Sequence, residues 1–313
     1  MVAQRIVAFI LAGGEGTRLH PFTLALPKPA LPLAGGWRVI DVVLSNLYNS
    51  KIRQIFVLLQ YKPDILVAHL QRRWNIASLH AEDFVEPVVP GSGTTGRAFK
   101  GTAHAVYECL ELLDASDPDL IAVFAADHLY RMDVRQMVSF HAAKRADATV
   151  ASLPLALEHA SEFGVVCTDC DSRILEFQEK PDRPVPMPGR PRCALVSMGN
   201  YLFKPEILYA ALHAAVARGE YDFGRHVLPR LVKNHRVCAY DFTHNVVPGA
   251  SPREQPGYWR DVGTVEAYRA AQHDLAGPLP CFDMDNPAWP MDWRRTRQEP
   301  EEPRMLQRAR PAA

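Results

Sequence analysis

No charge of either sign predominates in this sequence: 35 Lys and Arg stand against 35 Asp and Glu over 313 residues. The balance excludes a basic field for nucleic acid or for an anionic membrane surface, so any phosphate recognition has to be local. Long apolar runs are missing too, and none reaches the length that spans a bilayer. Arg5 followed by IVAFILA imitates a short signal peptide, but cleavage there would remove or expose the glycine loop that follows, which argues against secretion. Cysteine is sparse: Cys109, Cys167, Cys170, Cys193, Cys238 and Cys281 form no dense framework, and a cytoplasmic chain is expected. Cys167 and Cys170 make a lone CxxC with neither a second pair nor two suitably spaced histidines, so a hairpin tip in GVVCTDCDSRILEF is preferred to a zinc site. No linker divides the chain, and its length suits one large α/β domain or a domain with an appendage.

What is present begins with Leu11 to Pro29, LAGGEGTRLHPFTLALPKP. Ile6 to Leu11 is continuously apolar, as in a strand covered on both faces. Gly13, Gly14 and Gly16 then allow backbone N–H groups to approach a phosphate closely, and Arg18 and Lys28 can neutralise its oxygens. Neither common phosphate motif is met. Thr17 and Arg18 follow Gly16 where a P-loop needs Lys and Ser or Thr, and Leu19 stands where the dinucleotide fingerprint needs a third glycine. An ordinary strand-to-helix turn would use glycine as well, so the glycines alone leave two readings open.

Apolar runs and helical patterns alternate through the first half, the mark of a mostly parallel, Rossmann-like sheet with helices on both faces. A helix is predicted over Val39 to Tyr48, a strand over Ile52 to Leu59, and a helix from Pro63. Residues 86–101, EPVVPGSGTTGRAFKG, read as a long mobile loop outside the sheet. Helix is predicted over Ala103 to Leu113 and a buried strand over Leu120 to Ala125, ending in Asp127. Open α/β sheets bind ligands beyond the carboxyl ends of their strands, so Asp127 is placed for Mg²⁺ and phosphates; helix capping is the alternative. Asp133 before VRQMVSFHAAKR is expected to cap a helix, and His128 to orient the turn. The second half has strands near Ala148 to Leu153, Val196 to Phe203 and Val237 to Phe242, besides the hairpin. Its helices are expected at Pro205 to Ala217, Gly224 to Lys233 and Thr264 to Leu275. This mixed pattern predicts a sheet extension in the same single domain, over residues 1–293, and the charged, proline-containing residues 294–313 read as a disordered tail.

The segments LAGGEGTRL, KPALPLAGGWRVIDVVLSN, FAADHLYRMD, FGVV, FQEKP, SMGNYLF, YDFG and YWRDVGT, in this order and spacing, resemble the sugar-nucleotide pyrophosphorylases, specifically those of the glucose-1-phosphate adenylyltransferase type. The likeness runs from about Arg5 to Trp293. It implies a nucleotide-diphospho-sugar transferase fold and in-line attack of glucose 1-phosphate on the α-phosphorus of ATP, with Mg²⁺, for storage glucan synthesis. Such a reaction asks little covalent work of a protein and much positioning and charge neutralisation. By this resemblance Asp127 and Asp261 hold the metal and Arg18 and Lys28 the triphosphate, with Leu11, Ala12, Gly13, Gly14, Gly16, Thr17, Gly101 and Thr102 around the nucleotide. Lys180 meets the sugar phosphate, and Phe99, Gly164, Glu179, Ser197, Tyr201, Asp222, Phe223 and Trp259 line the sugar site. Read singly, Glu179 and Lys180 could be a solvated turn before Pro181, and Trp259 a core residue.

Departures from the family gather on the nucleotide side. Residues 90–96 read PGSGTTG where the family carries paired glutamines that contact adenine. Phe99 replaces a tyrosine, His104 and His226 replace acids, and Leu26 replaces an arginine in the effector region. The hexapeptide repeats of the family's left-handed β-helix are not in this sequence, so the likeness implies neither its tetramer nor its regulation, and a homo-oligomer stays open. Two alternatives remain: the same reaction with another nucleoside triphosphate or sugar 1-phosphate, or a catalytically lapsed subunit that binds these ligands.

Overall fold

The computed structural model describes residues 4–76, 82–91, 98–252, 254–276, 280–281 and 283–294. β1 (Ile6–Ala12) is central because alternate residues of one apolar run bury on opposite faces. Val7 and Phe9 join one hydrophobic cluster, while Ala8, Ile10 and Ala12 join another. β2 (Gln54–Leu59) and β4 (Leu120–Ala125) flank it in parallel, and β3 (Phe84–Val88) adds a parallel edge strand beyond β2. On the far side of β4 the pairing turns antiparallel. β9 (Cys193–Phe203) pairs with β4 and with β6 (Ala148–Ala156), and β10 (Val237–Asp241) closes that edge parallel to β6. The hairpin of β7 (Gly164–Thr168) and β8 (Ile174–Glu179) extends the sheet from β9. The mixed sheet and single domain expected from the sequence are therefore observed.

Helices cover both faces. α1 (Val39–Asn49), α2 (Pro63–Arg73) and α4 (Val134–Ala143) pack on one side, and α3 (Thr102–Tyr107), α5 (Pro205–Ala217) and α6 (Leu228–Asn234) on the other. α7 (Val265–Ala276) shares a third cluster with Leu19, Leu31, Leu33 and Val39. Asp133 caps α4 as expected, its side chain accepting from the Arg135 N–H. No helix among the described residues is long and apolar enough to cross a membrane.

Three expectations need correction, and one alternative falls. Glu86, Pro87 and Val88 are not loop but the end of β3, in register with Phe56, Val57 and Leu58. Proline is tolerated there because β3 is an edge strand. Asp127 caps no helix, since β5 (His128–Tyr130) follows it directly. The helix predicted to Leu113 ends at Tyr107, and Leu110–Leu113 is a separate 3-10 turn. The helix predicted from Gly224 starts as a π-turn over Phe223–Val227 before α6. Cys167 and Cys170 do sit at a hairpin, and all six cysteines are free thiols. Residues 295–313 and 92–97, which hold all of the tail but Arg294 and most of the divergent adenine loop, lie outside the described residues.

Candidate active site

Parallel pairing places the carboxyl ends of β1, β2 and β4 side by side: Ala12 is in register with Leu59, and Leu11 with Ala125. Residues just beyond these ends must share one rim, and they line a cleft of about 530 Å³. All ten residues expected around the nucleotide line it: Leu11, Ala12, Gly13, Gly14, Gly16, Thr17, Arg18, Lys28, Gly101 and Thr102. Asp127 lines it too. Gly16 has φ 69°, and a Cβ there would lie 3.1 Å from Lys28 Cβ, so the turn needs glycine for conformation and for room. Phe99 stands with this set rather than with the sugar residues, and its N–H donates to Gln60 Oε1 at 2.7 Å. Gln60 and Gly263 also line the cleft and were missed from sequence; the signal was available in Gln60, the first residue past β2.

Asp127 and Asp261 meet through a short ribbon. β11 (Trp259–Asp261) pairs antiparallel with β5, which sets Asp261 opposite His128 and lets the Val262 N–H donate to the Asp127 carbonyl at 3.3 Å. One donor atom each from Asp127, His128 and Asp261 falls within 4.8 Å of the others, a group able to hold a metal ion. His128 therefore does more than orient a turn: its Nδ1 is 3.4 Å from Asp127 and its Nε2 3.6 Å from Asp261. Lys28 Nζ donates to both carboxylates, at 2.9 Å each. Burial works against charge on Asp127, but His128 and Lys28 outweigh it and hold the carboxyl well below the usual carboxylate range. Burial would likewise lower the Lys28 pKa; Asp127 and Asp261 overcome it, and the ammonium is held more firmly than a free lysine's. Arg18 is exposed and pairs with Glu162 at 3.1 Å.

The expected sugar residues form a second group beside the cleft. Gly164 and Glu179 are opposite one another on β7 and β8. A Cβ on Gly164 would lie 3.2 Å from Glu179 Oε2, and one on Gly224 only 2.3 Å away, so the carboxylate occupies space left by two glycines. Burial raises the Glu179 pKa and Asp222 adds to the effect. Asp222 accepts from Thr102 Oγ1 at 3.1 Å, and Thr102 Oγ1 accepts from the Phe223 N–H at 3.0 Å, which ties the cleft to this group. Phe223 packs tilted against Tyr201 with ring centroids 5.7 Å apart, and the Tyr201 side chain is hydrogen-bonded to Ser197. Trp259 packs between His128 (4.9 Å) and Phe163 (5.2 Å), with its indole Nε1 buried and without a protein partner. Lys180 is exposed at the end of the hairpin, with φ 47°.

A model of the nucleotidyl transferase family matches residues 7–277. The chain belongs to that family. This nucleotidyl transferase is similar to the glucose-1-phosphate adenylyltransferase of Thermodesulfovibrio yellowstonii, 46% identical over 288 residues that cover 92% of this chain and 70% of the relative. The enzymes of the same name from Thermus thermophilus and Geobacter metallireducens are 44% and 42% identical, over 93% of this chain and 72% and 70% of their own lengths. The likeness expected from the motifs thus extends across most of the nucleotidyl transferase.

Proposed function

We propose that the chain, with residues 1–293 as its catalytic unit, transfers the adenylyl group of ATP to glucose 1-phosphate, giving ADP-glucose and pyrophosphate for storage glucan synthesis. The observation that carries this is the convergence of Lys28, Asp127 and Asp261 at one edge of the glycine-lined cleft, in a chain similar to enzymes of that name. The six free thiols suit the cytoplasm.

The donors present fit Mg²⁺: two carboxylates of neighbouring strands with an imidazole beside them, all within reach of one ion. Bound there, Mg²⁺ would neutralise triphosphate oxygens and act as a Lewis acid. The chain's own residues do the rest. Backbone N–H groups from Gly13 to Thr17 and the Arg18 guanidinium hold the triphosphate, and Lys28 faces the α-phosphate. Glu179, Asp222, Ser197 and Tyr201 orient the hexose, and Lys180 meets its phosphate. A phosphate oxygen of the sugar attacks the α-phosphorus in line, the bond to the β-phosphate oxygen breaks, and the electron pair leaves with pyrophosphate.

Purified protein with Mg²⁺ and glucose 1-phosphate, offered each of ATP, UTP, dTTP, GTP and CTP, should release pyrophosphate fastest with ATP. A preference for another triphosphate would overturn the adenylyl assignment, and silence with all five would overturn catalysis.

A further inference from the structure

Lys28 carries more than triphosphate binding would require. Its side chain is almost wholly buried, and its ammonium donates at 2.9 Å to Asp127 Oδ2 and at 2.9 Å to Asp261 Oδ1. Asp261 Oδ1 also faces His128 Nε2 at 3.6 Å. One oxygen of each aspartate that could hold a divalent cation is thus already taken by the ammonium. An ammonium and a dication at such range repel, and both cannot take the same two oxygens. At its other side Lys28 lines the glycine cleft, beside Gly16. A triphosphate in that cleft would offer the ammonium a second set of negative oxygens.

We propose that Lys28 is a built-in competitor of the divalent cation: it holds Asp127 and Asp261 until a triphosphate draws it away, so that cation and triphosphate each bind weakly alone and tightly together. The coupling is reciprocal, since a ligand that frees the carboxylates raises cation affinity by the factor by which the cation raises its own. The proposal rests on the assignment of the cation to Asp127 and Asp261. It adds an order to the site, in which the free enzyme keeps its carboxylates closed to metal.

The test is Mn²⁺ binding without nucleotide, read from the electron paramagnetic resonance signal of the free aqua ion. Lys28→Met and Lys28→Gln, each checked for native circular dichroism, should bind Mn²⁺ at least about tenfold more tightly than the wild type, on the scale of removing one close positive charge. Lys28→Arg, which keeps the charge, should stay within a few-fold of wild type. Affinity in both neutral variants equal to or weaker than wild type overturns the competition. Asp261→Asn, made in the wild-type and Lys28→Met chains, separates the two readings. If it abolishes Mn²⁺ binding while the neutral Lys28 variants show no gain, the competition alone falls. If it changes nothing, the cation assignment falls and the competition with it.

Discussion

At the scale of single residues the site depends on what is small as much as on what is charged. Glu179 fits because Gly164 and Gly224 have no side chain, and a methyl group on Gly224 would stand 2.3 Å from its Oε2. The carboxylate can swing, so Gly224→Ala should fold but hold Glu179 out of place. In steady-state kinetics KM for glucose 1-phosphate should rise about tenfold, the loss of one hydrogen bond to a charged group, while KM for ATP stays within about twofold. A rise in both, or in neither, would contradict the division of the site into two groups. Little of this was legible beforehand. The FQEKP motif pointed to Glu179, but a Gly224 60 residues from Gly164 has no spacing signal to link them. Lys28 was legible as a phosphate cation and not as a bridge between carboxylates, because ion pairing across the chain leaves no local pattern.

Elements were read best where period and burial agree. β4 lies where its apolar run predicts, and α5 spans Pro205 to Ala217 as expected, with proline suited to its first turn. β3 failed because two prolines and a glycine close to it mimic a loop, and an edge strand can carry that chemistry. The three-residue ribbon of β5 and β11 is too short for any period, so only resemblance paired Asp127 with Asp261. Element packing also sets a pH response. His141 on α4 is buried against β6, its Nδ1 2.8 Å from Thr149 Oγ1 and its Nε2 without a partner. Burial, reinforced by Lys204, pushes its pKa down to about 4 from 6.5. Between those values the unfolded chain binds the extra proton, so stability is full above about pH 6.5 and is lost as pH falls towards 4, by roughly 3 kcal/mol. Denaturant unfolding should show a shallower loss over that window in His141→Leu; identical slopes would refute the assignment.

For the whole molecule, the chain's last described segment binds the fold to itself outside the cleft. Asn49 donates to the Pro290 carbonyl at 2.9 Å, Ser45 donates to the Met291 sulfur at 3.3 Å, and Trp293 Nε1 donates to the Arg73 carbonyl at 2.7 Å. Arg131 donates to the carbonyls of Asp283 and Trp289. None of these residues lines the cleft. Trp289→Ala should therefore cost about 3 to 5 kcal/mol of stability in denaturant titration and leave kcat at 25 °C within about twofold. A loss of turnover without a loss of stability would place the segment in catalysis. That the carboxyl ends of the first half's strands share one rim was legible from the alternation of strands and helices. The C-terminal wrap was not, since its contacts are isolated aromatic and amide groups without period.

The ribbon that pairs His128 with Asp261 has a consequence for how this protein tolerates change. Asp261 is located by backbone bonds to its partner strand, and the exposed stretch of residues 248–252 that precedes the ribbon contributes no pair to that register. Residues can be inserted or lost in that stretch and Asp261 still arrives opposite His128, whereas a one-residue slip inside the ribbon turns the carboxylate to the other face. Length variation among descendants of this chain should collect before Tyr258 and stop there.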